Sequence, residues 1–314
     1  MYYDSIIGHE FVKKQIKNSI ESGKFSHAHL IVGEDGIGKS IIAKAAAFHL
    51  LSKKENKSYP DIVEVNKEND VRSIGIKDVL KVIEEVNKKP FEGDKKVIII
   101  YKAHLMTEQA QNAFLKTVEE PPLGIYIMFL CENIEDILPT IKSRCQVHLL
   151  KRLNDDDILR FIKLKHPECS EKELGTVLSF SDGIPGRAER FFNDDEFAAM
   201  RNEAQKFIEG AGRKETDRIM DYENVLLKHK NEWKDIFTCM LSYIRDAIVY
   251  RETGDSKFII NADKYDFIEN MSRKYSFKKL NNVFNIINNT GSMLKKNVDM
   301  SLAVYVMLLK IWEG

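Results

Sequence analysis

The stretch Gly33-Glu34-Asp35-Gly36-Ile37-Gly38-Lys39-Ser40 has the residue types and spacing of a phosphate cradle. In G-x-x-x-x-G-K-S the glycines let backbone amides turn toward phosphate oxygens, the lysine reaches the outer phosphates, and the serine hydroxyl can meet magnesium. A helix beginning at Lys39 adds the partial positive charge of its N-terminus. The residues assigned to binding are therefore Gly33, Gly36, Gly38, Lys39 and Ser40, and the ligand they suit is ATP or ADP with magnesium. Hydrolysis asks for more: an acid at the end of a neighbouring strand to orient the metal, and a group to position the attacking water. The strand that should carry those acids reads Val97-Ile98-Ile99-Ile100 and runs into Tyr101-Lys102, then Ala103-His104. A neutral phenol is a poor ligand for a hard cation, and lysine adds positive charge beside the metal. His104 reads as a capping or surface histidine near the start of the next helix rather than as a base. The expectation is a nucleotide-binding shape with weak or absent turnover of its own.

Short β-branched runs alternate with helical segments from Met1 to about Val147, which predicts a parallel α/β sheet. Ala28 to Val32 feeds the glycine loop, and Ser40 to Leu51 has the composition of a helix. Ile62 to Val65 follows Pro60 as a second strand. Lys77 to Lys89 is amphipathic, with Val79, Leu80, Ile83 and Val86 at helical spacing. Thr107 is the expected N-cap of a helix that Pro121-Pro122 ends, and Tyr126 to Cys131 is a further strand. Leu149 to about Asn193 forms a small helical zone punctuated by Gly183, Pro185 and Gly186. From about Asp194 to Gly314 the pattern is helical, with breaks expected at Gly210 to Lys214, Arg251 to Ser256 and Asn288 to Ser292. Trp233, Ile236, Phe237, Met240, Leu241, Ile244, Ala247 and Ile248 make one wide apolar stripe, either internal core or a packing face for other subunits.

Composition narrows the classes. At 314 residues, two or three compact units are expected. Lysine plus arginine (48) equals aspartate plus glutamate (48), so no global field drives the chain onto nucleic acid. The N-terminus lacks the basic-then-apolar order of a secretory signal. No apolar run is long enough to span a bilayer. Cys131, Cys145, Cys169 and Cys239 are too scattered for a metal site, and a cytoplasmic protein is expected.

Several ordered stretches now carry a family likeness. They are Ser5-Ile6-Ile7-Gly8-His9-Glu10, His27-Ala28-His29-Leu30, the phosphate loop, Tyr59-Pro60-Asp61-Ile62, Asn112 through Pro122, and Leu138-Pro139-Thr140-Ile141-Lys142-Ser143-Arg144-Cys145-Gln146. Together the chain resembles the bacterial DNA polymerase III clamp-loader subunits, modules of the AAA+ class. The likeness covers roughly the first 190 residues. The segment from Ile74-Gly75-Ile76 through Lys89 to Val97 is compatible with a non-motor member, and a short chain ending just after the helical third zone fits that expectation.

The resemblance implies an α/β plus all-α architecture. A P-loop parallel-sheet domain would occupy 1–148, a small helical lid 149–205, and a helical collar for oligomerisation 206–314. It implies a ring of related subunits that opens a sliding clamp and places it on primed DNA as part of the DNA polymerase III holoenzyme. The implied partners are the tau/gamma and delta subunits, the sliding clamp, and primed DNA within the complex. It also implies that Arg144, in the family's Ser-Arg-Cys position, reaches the nucleotide of an adjacent motor subunit. A guanidinium from outside would complete charge neutralisation around the transferring phosphoryl group.

Three departures qualify the likeness, and the first is the acid pair missing after Ile100, which fits a non-motor member and would damage a motor. Many relatives carry a four-cysteine zinc module before the Pro-Asp-Ile stretch, whereas residues 51–59 hold no cysteine, so no zinc is expected. Motor members use a Gly-x-x-Arg sensor, while Gly183-Ile184-Pro185-Gly186-Arg187 places Arg187 one residue late. Glu132 and Asn133 stand where motor members place a polar sensor, and neither receives a role. A tau/gamma-like motor with a displaced acid stays open as the alternative. A P-loop nucleotide kinase or helicase-loading relative is weaker, since no substrate motif follows the loop. DNA contact would fall to lysines such as Lys102 and Lys116.

Overall fold

The computed structural model describes residues 2–54, 57–66, 73–211, 219–294 and 298–313. Contacts divide the chain into two compact units, one of residues 1–161 with 181–187 and one of residues 162–180 with 188–314.

The first unit is built on five parallel strands: β1 (Ala28–Val32), β2 (Ile62–Val65), β3 (Lys96–Ile100), β4 (Ile125–Cys131) and β5 (Gln146–Leu149). Their order is β2-β3-β4-β1-β5. Continuous apolar runs suit strands covered on both faces. β3 shows how: Ile98 and Ile100 enter one core with Ile127 and Phe129, while Val97 and Ile99 enter the other with Ile31 and Met128. The first core is closed by α3 (Ile76–Val86) and α4 (Glu108–Glu119), through Val79, Val82, Val86, Phe114 and Val118. The second is closed by α1 (Glu10–Glu21) and α2 (Lys39–Leu50), through Val12, Ile16, Ile42, Ala43 and Ala46. A short α5 (Pro139–Lys142) precedes β5. Thr107 caps α4 as expected, its Oγ1 accepting the Ala110 N–H at 3.2 Å.

Strand β5 was not anticipated. Its four residues include a histidine and a glutamine, and only its pairing with β1, His29 beside Gln146, identifies it. β1 therefore lies between β4 and β5, and its C-terminal end is where the order reverses. Open parallel sheets bind ligands at such an end.

The helices α6 (Asp155–Lys165), α7 (Glu171–Ser181) and α8 (Pro185–Asn193) follow β5. The second unit continues with α9 (Asp195–Ala211), α10 (Ile219–Lys228), α11 (Trp233–Thr253), α12 (Tyr265–Lys274), α13 (Phe277–Leu294) and α14 (Met300–Glu313). The apolar stripe of α11 is internal core: Ile236, Phe237, Met240, Ile244 and Ala247 are buried, and Trp233, Leu241 and Ile248 pack against them. The expected stop after Arg251 is real, with Gly254 left-handed at φ 66°. The break expected at Asn288 to Ser292 is absent. α13 runs through it, because Gly291 lies against the rings of Phe237 and Trp233, where a Cβ would touch at 3.5 and 3.6 Å. Most of the break expected at Gly210 to Lys214 lies outside the described residues. Among the described residues, no helix is long and apolar enough to cross a membrane.

Candidate functional site

The phosphate loop leaves β1 at its C-terminal end, and Gly33 N–H donates to Cys131 O of β4 at 3.1 Å. Gly36 and Gly38 take left-handed conformations, at φ 77° and 110°, which other residues adopt only with strain. α2 then starts at Lys39. The Lys39 ammonium donates to the carbonyl oxygens of Gly33 and Glu34, each at 2.8 Å. Burial lowers its pKa, opposed by Asp35, Glu132, Cys131 and Glu34. Gly33, Gly36, Gly38, Lys39 and Ser40 thus form one continuous turn into the helix N-terminus. A loop of this shape can receive phosphate oxygens.

Two supports of this loop were not read from sequence. His9, itself left-handed at φ 56°, donates from Nε2 to Ile37 O at 3.0 Å. Arg152 grips Glu34 with a two-pronged contact, Nε to Oε1 at 2.5 Å and Nη2 to Oε2 at 2.8 Å, and also pairs with Asp182. Arg187 pairs with the same aspartate at 3.8 Å. Gly186 N–H donates to Gly36 O at 2.9 Å, and a Cβ on Gly186 would sit 2.5 Å from Gly36 Cα. His9 lies within the family-like stretch Ser5 to Glu10, but nothing local marks it as a loop support. Glu34 and Arg152 are 118 positions apart, beyond any spacing rule.

The end of β3 holds no acid. Tyr101 OH donates to Glu64 Oε2 at 2.6 Å, and Lys44 Nζ stands 3.0 Å from the same oxygen. Burial, then the Glu64 contact, push the phenol pKa well up, so it stays protonated at neutral pH. Lys102 is left-handed at φ 49°. His104 is half-buried in a short turn and accepts the Glu132 N–H on Nδ1 at 3.3 Å, with Nε2 3.7 Å from the Glu132 carboxylate. It therefore tethers the end of β4, where a helix-capping or surface role was expected. Burial lowers its pKa, favouring the neutral ring. Asn133 is occupied as a turn cap, its Oδ1 accepting the Glu135 N–H. The four cysteines are free thiols, Cys131 and Cys239 buried.

Arg144 lies apart from the phosphate loop. It follows α5, exposed, with Nη1 donating to Thr140 O at 2.8 Å and Ser143 Oγ at 3.3 Å, and its guanidinium pairs with Glu119. Cys145 beside it is half-buried, its thiol pKa pushed up to about 12 by burial. The geometry thus separates two sets: a loop that can cradle phosphates, and a surface arginine held by Thr140, Ser143 and Glu119. Lys116 is exposed on α4.

Residues 8–154 match the family described as DNA polymerase III, delta subunit, and residues 206–313 match the C-terminal region of that subunit. The DNA polymerase III subunit gamma of Buchnera aphidicola is 29% identical over 51% of this chain and 48% of its own length. The tau subunit of Bacillus subtilis is 23% identical over 99% of this chain and 61% of its own. The delta' subunit of Escherichia coli is 27% identical over 60% of each. The chain spans about half to three-fifths of the length of these curated relatives.

Proposed function

The chain belongs to the family of DNA polymerase III clamp-loader subunits, and we propose that within it the chain is the delta-prime-type member. In this reading it is a largely non-hydrolysing subunit that helps load the sliding clamp onto primed DNA. Its own phosphate loop holds a nucleotide as a structural element, and Arg144 serves the active centre of a neighbouring tau/gamma subunit. The partners are tau/gamma, delta, the clamp and primed DNA within the assembly.

One observation carries the proposal: β3 runs into Tyr101 where an acid is needed, its phenol committed to Glu64. The fit to a nucleoside phosphate is good, since Gly36 and Gly38 adopt the required turn and Lys39 stands at the head of α2. The fit to magnesium is incomplete, because Ser40 has no carboxylate at the end of β3 to share the ion. When bound, the metal would neutralise phosphate charge; the chain's residues can hold phosphates through Lys39 and the loop amides without aligning a water. Arg144 has no such task in its own site, and its exposure suits a trans role.

A second reading, the tau/gamma-like motor, draws on relatives of that name that align over nearly the whole chain. It needs a displaced acid. Glu64 is the nearest to β3's end by pairing, but Lys44 and Tyr101 both engage it. Steady-state ATP turnover by the purified chain, with and without Lys39→Ala, separates the two. The proposal expects no Lys39-dependent hydrolysis; robust Lys39-dependent turnover favours the motor.

A further inference from the structure

The Arg144 guanidinium is already occupied within its own chain. Nη1 meets the Thr140 carbonyl and the Ser143 hydroxyl, and Nη2 meets the Glu119 carboxylate. Glu119 is the last residue of α4, followed by Glu120. Negative side chains at a helix C-terminus face the negative end of its dipole, so these acids attract a nearby cation. Arg144 answers that need, although it lies 25 positions away, in the turn between α5 and β5.

We propose that Glu119 is a positioning residue that retains Arg144 and competes with a neighbouring subunit's phosphates for the guanidinium. The inference rests on the trans role of Arg144 given above. Thr140 and Ser143 engage Nη1 and anchor the head group to α5. Nη2 is the atom shared with Glu119, and a two-pronged grip on a phosphate from outside would need that edge of the fork. Capture by phosphate therefore proceeds by release of the Glu119 carboxylate, and the subunit withholds its cation until the interface closes. Both side chains are partly exposed, at 38% and 43%, so the hold is weak enough to reverse.

The test is a loader reconstituted with tau/gamma and delta subunits, its ATP turnover followed across ATP concentration, with and without clamp and primed DNA. Glu119→Gln keeps the shape and removes the charge. We expect half-saturating ATP to fall by about two- to fivefold, the range of an exposed ion pair, with a matching rise in DNA-independent turnover. In an Arg144→Ala background the substitution should do nothing further. An unchanged or raised half-saturation, or the same effect without Arg144, would overturn the proposal. A purely structural role for Glu119 would lower maximal turnover in either background.

A second readout keeps the two ideas distinct. In the isolated chain, nitrogen NMR should show slowed rotation of the Arg144 guanidinium, freed by Glu119→Gln. Free rotation in the wild-type chain sinks the hold alone. If Arg144→Ala leaves loader turnover untouched, the trans role itself fails, and the competition with it.

Discussion

Tyr101 and Arg144 illustrate what one residue position decides. A phenol replaces the expected acid and is then used locally, as the donor to Glu64. Tyr101→Phe removes that bond from a half-buried site, and we expect a loss of about 0.5–1.5 kcal/mol in urea unfolding with no ATP turnover gained. Arg144 behaves oppositely. It is exposed and lies outside every core, so Arg144→Ala should shift unfolding by less than about 0.5 kcal/mol. The phosphate loop was legible because its parts are contiguous and each does separate work. His9 and Arg152 were not, because their partners, Ile37 and Glu34, lie far along the chain and only the fold brings them together. His104 was misjudged for a similar reason: its partner is the next strand's end, 28 positions on.

At the scale of elements, the pairing of β1 with β5 buries two histidines. His29 Nε2 donates to Ser26 O at 2.8 Å, so its Nδ1 accepts from His148 Nε2–H at 3.0 Å. His148 Nδ1 is buried and, among the described residues, has no partner. Burial lowers both pKa values, to about 3 for His29, helped by His148, and to about 4 for His148, from 6.5. The unfolded chain therefore takes up protons first as pH falls. The stability involved is fully present above pH 6.5 and is lost as pH drops toward 4 and then 3. Each group should contribute about 1.4 kcal/mol per pH unit across that window. Burial also lowers His9, His49 and His104, so the informative quantity is a difference. Urea unfolding between pH 6.5 and 4.5 should show a shallower pH slope for His148→Gln than for wild type; equal slopes would contradict the assignment.

Close approach of elements gives a second prediction at this scale. Gly186→Ala places a Cβ 2.5 Å from Gly36 Cα, backbone that cannot move aside cheaply, and should cost about 1–3 kcal/mol. Gly175→Ala, in α7 with nothing within 4 Å, should instead gain up to about 1 kcal/mol of helix propensity. Chemical denaturation of the two variants checks both signs. The strands of continuous apolar composition were readable in advance, and so were the amphipathic α3 and the capped α4. β5 was too short and too polar to stand out. Gly291 looked like a stop because packing against Trp233 and Phe237, which admits glycine inside a helix, is invisible in one dimension.

For the whole molecule, family membership and the geometry of two separated features bear on the same account. The chain carries equal numbers of acidic and basic residues, so long-range attraction to DNA is weak. The isolated chain should therefore bind primed DNA poorly at physiological salt, with affinity appearing on assembly; tight binding by the chain alone, read by fluorescence anisotropy, would contradict this. The phosphate loop and Arg144 occupy different parts of one unit, the first facing its own strand ends, the second held on the surface by Glu119. The central claim is that this surface cation acts on someone else's nucleotide. The most direct measurement is clamp- and DNA-stimulated ATP turnover of the reconstituted loader carrying Arg144→Ala, with assembly verified by its size in solution. The account predicts an intact complex whose stimulated turnover falls at least severalfold, with Arg144→Lys failing to restore it. An intact complex with undiminished stimulated turnover would contradict it.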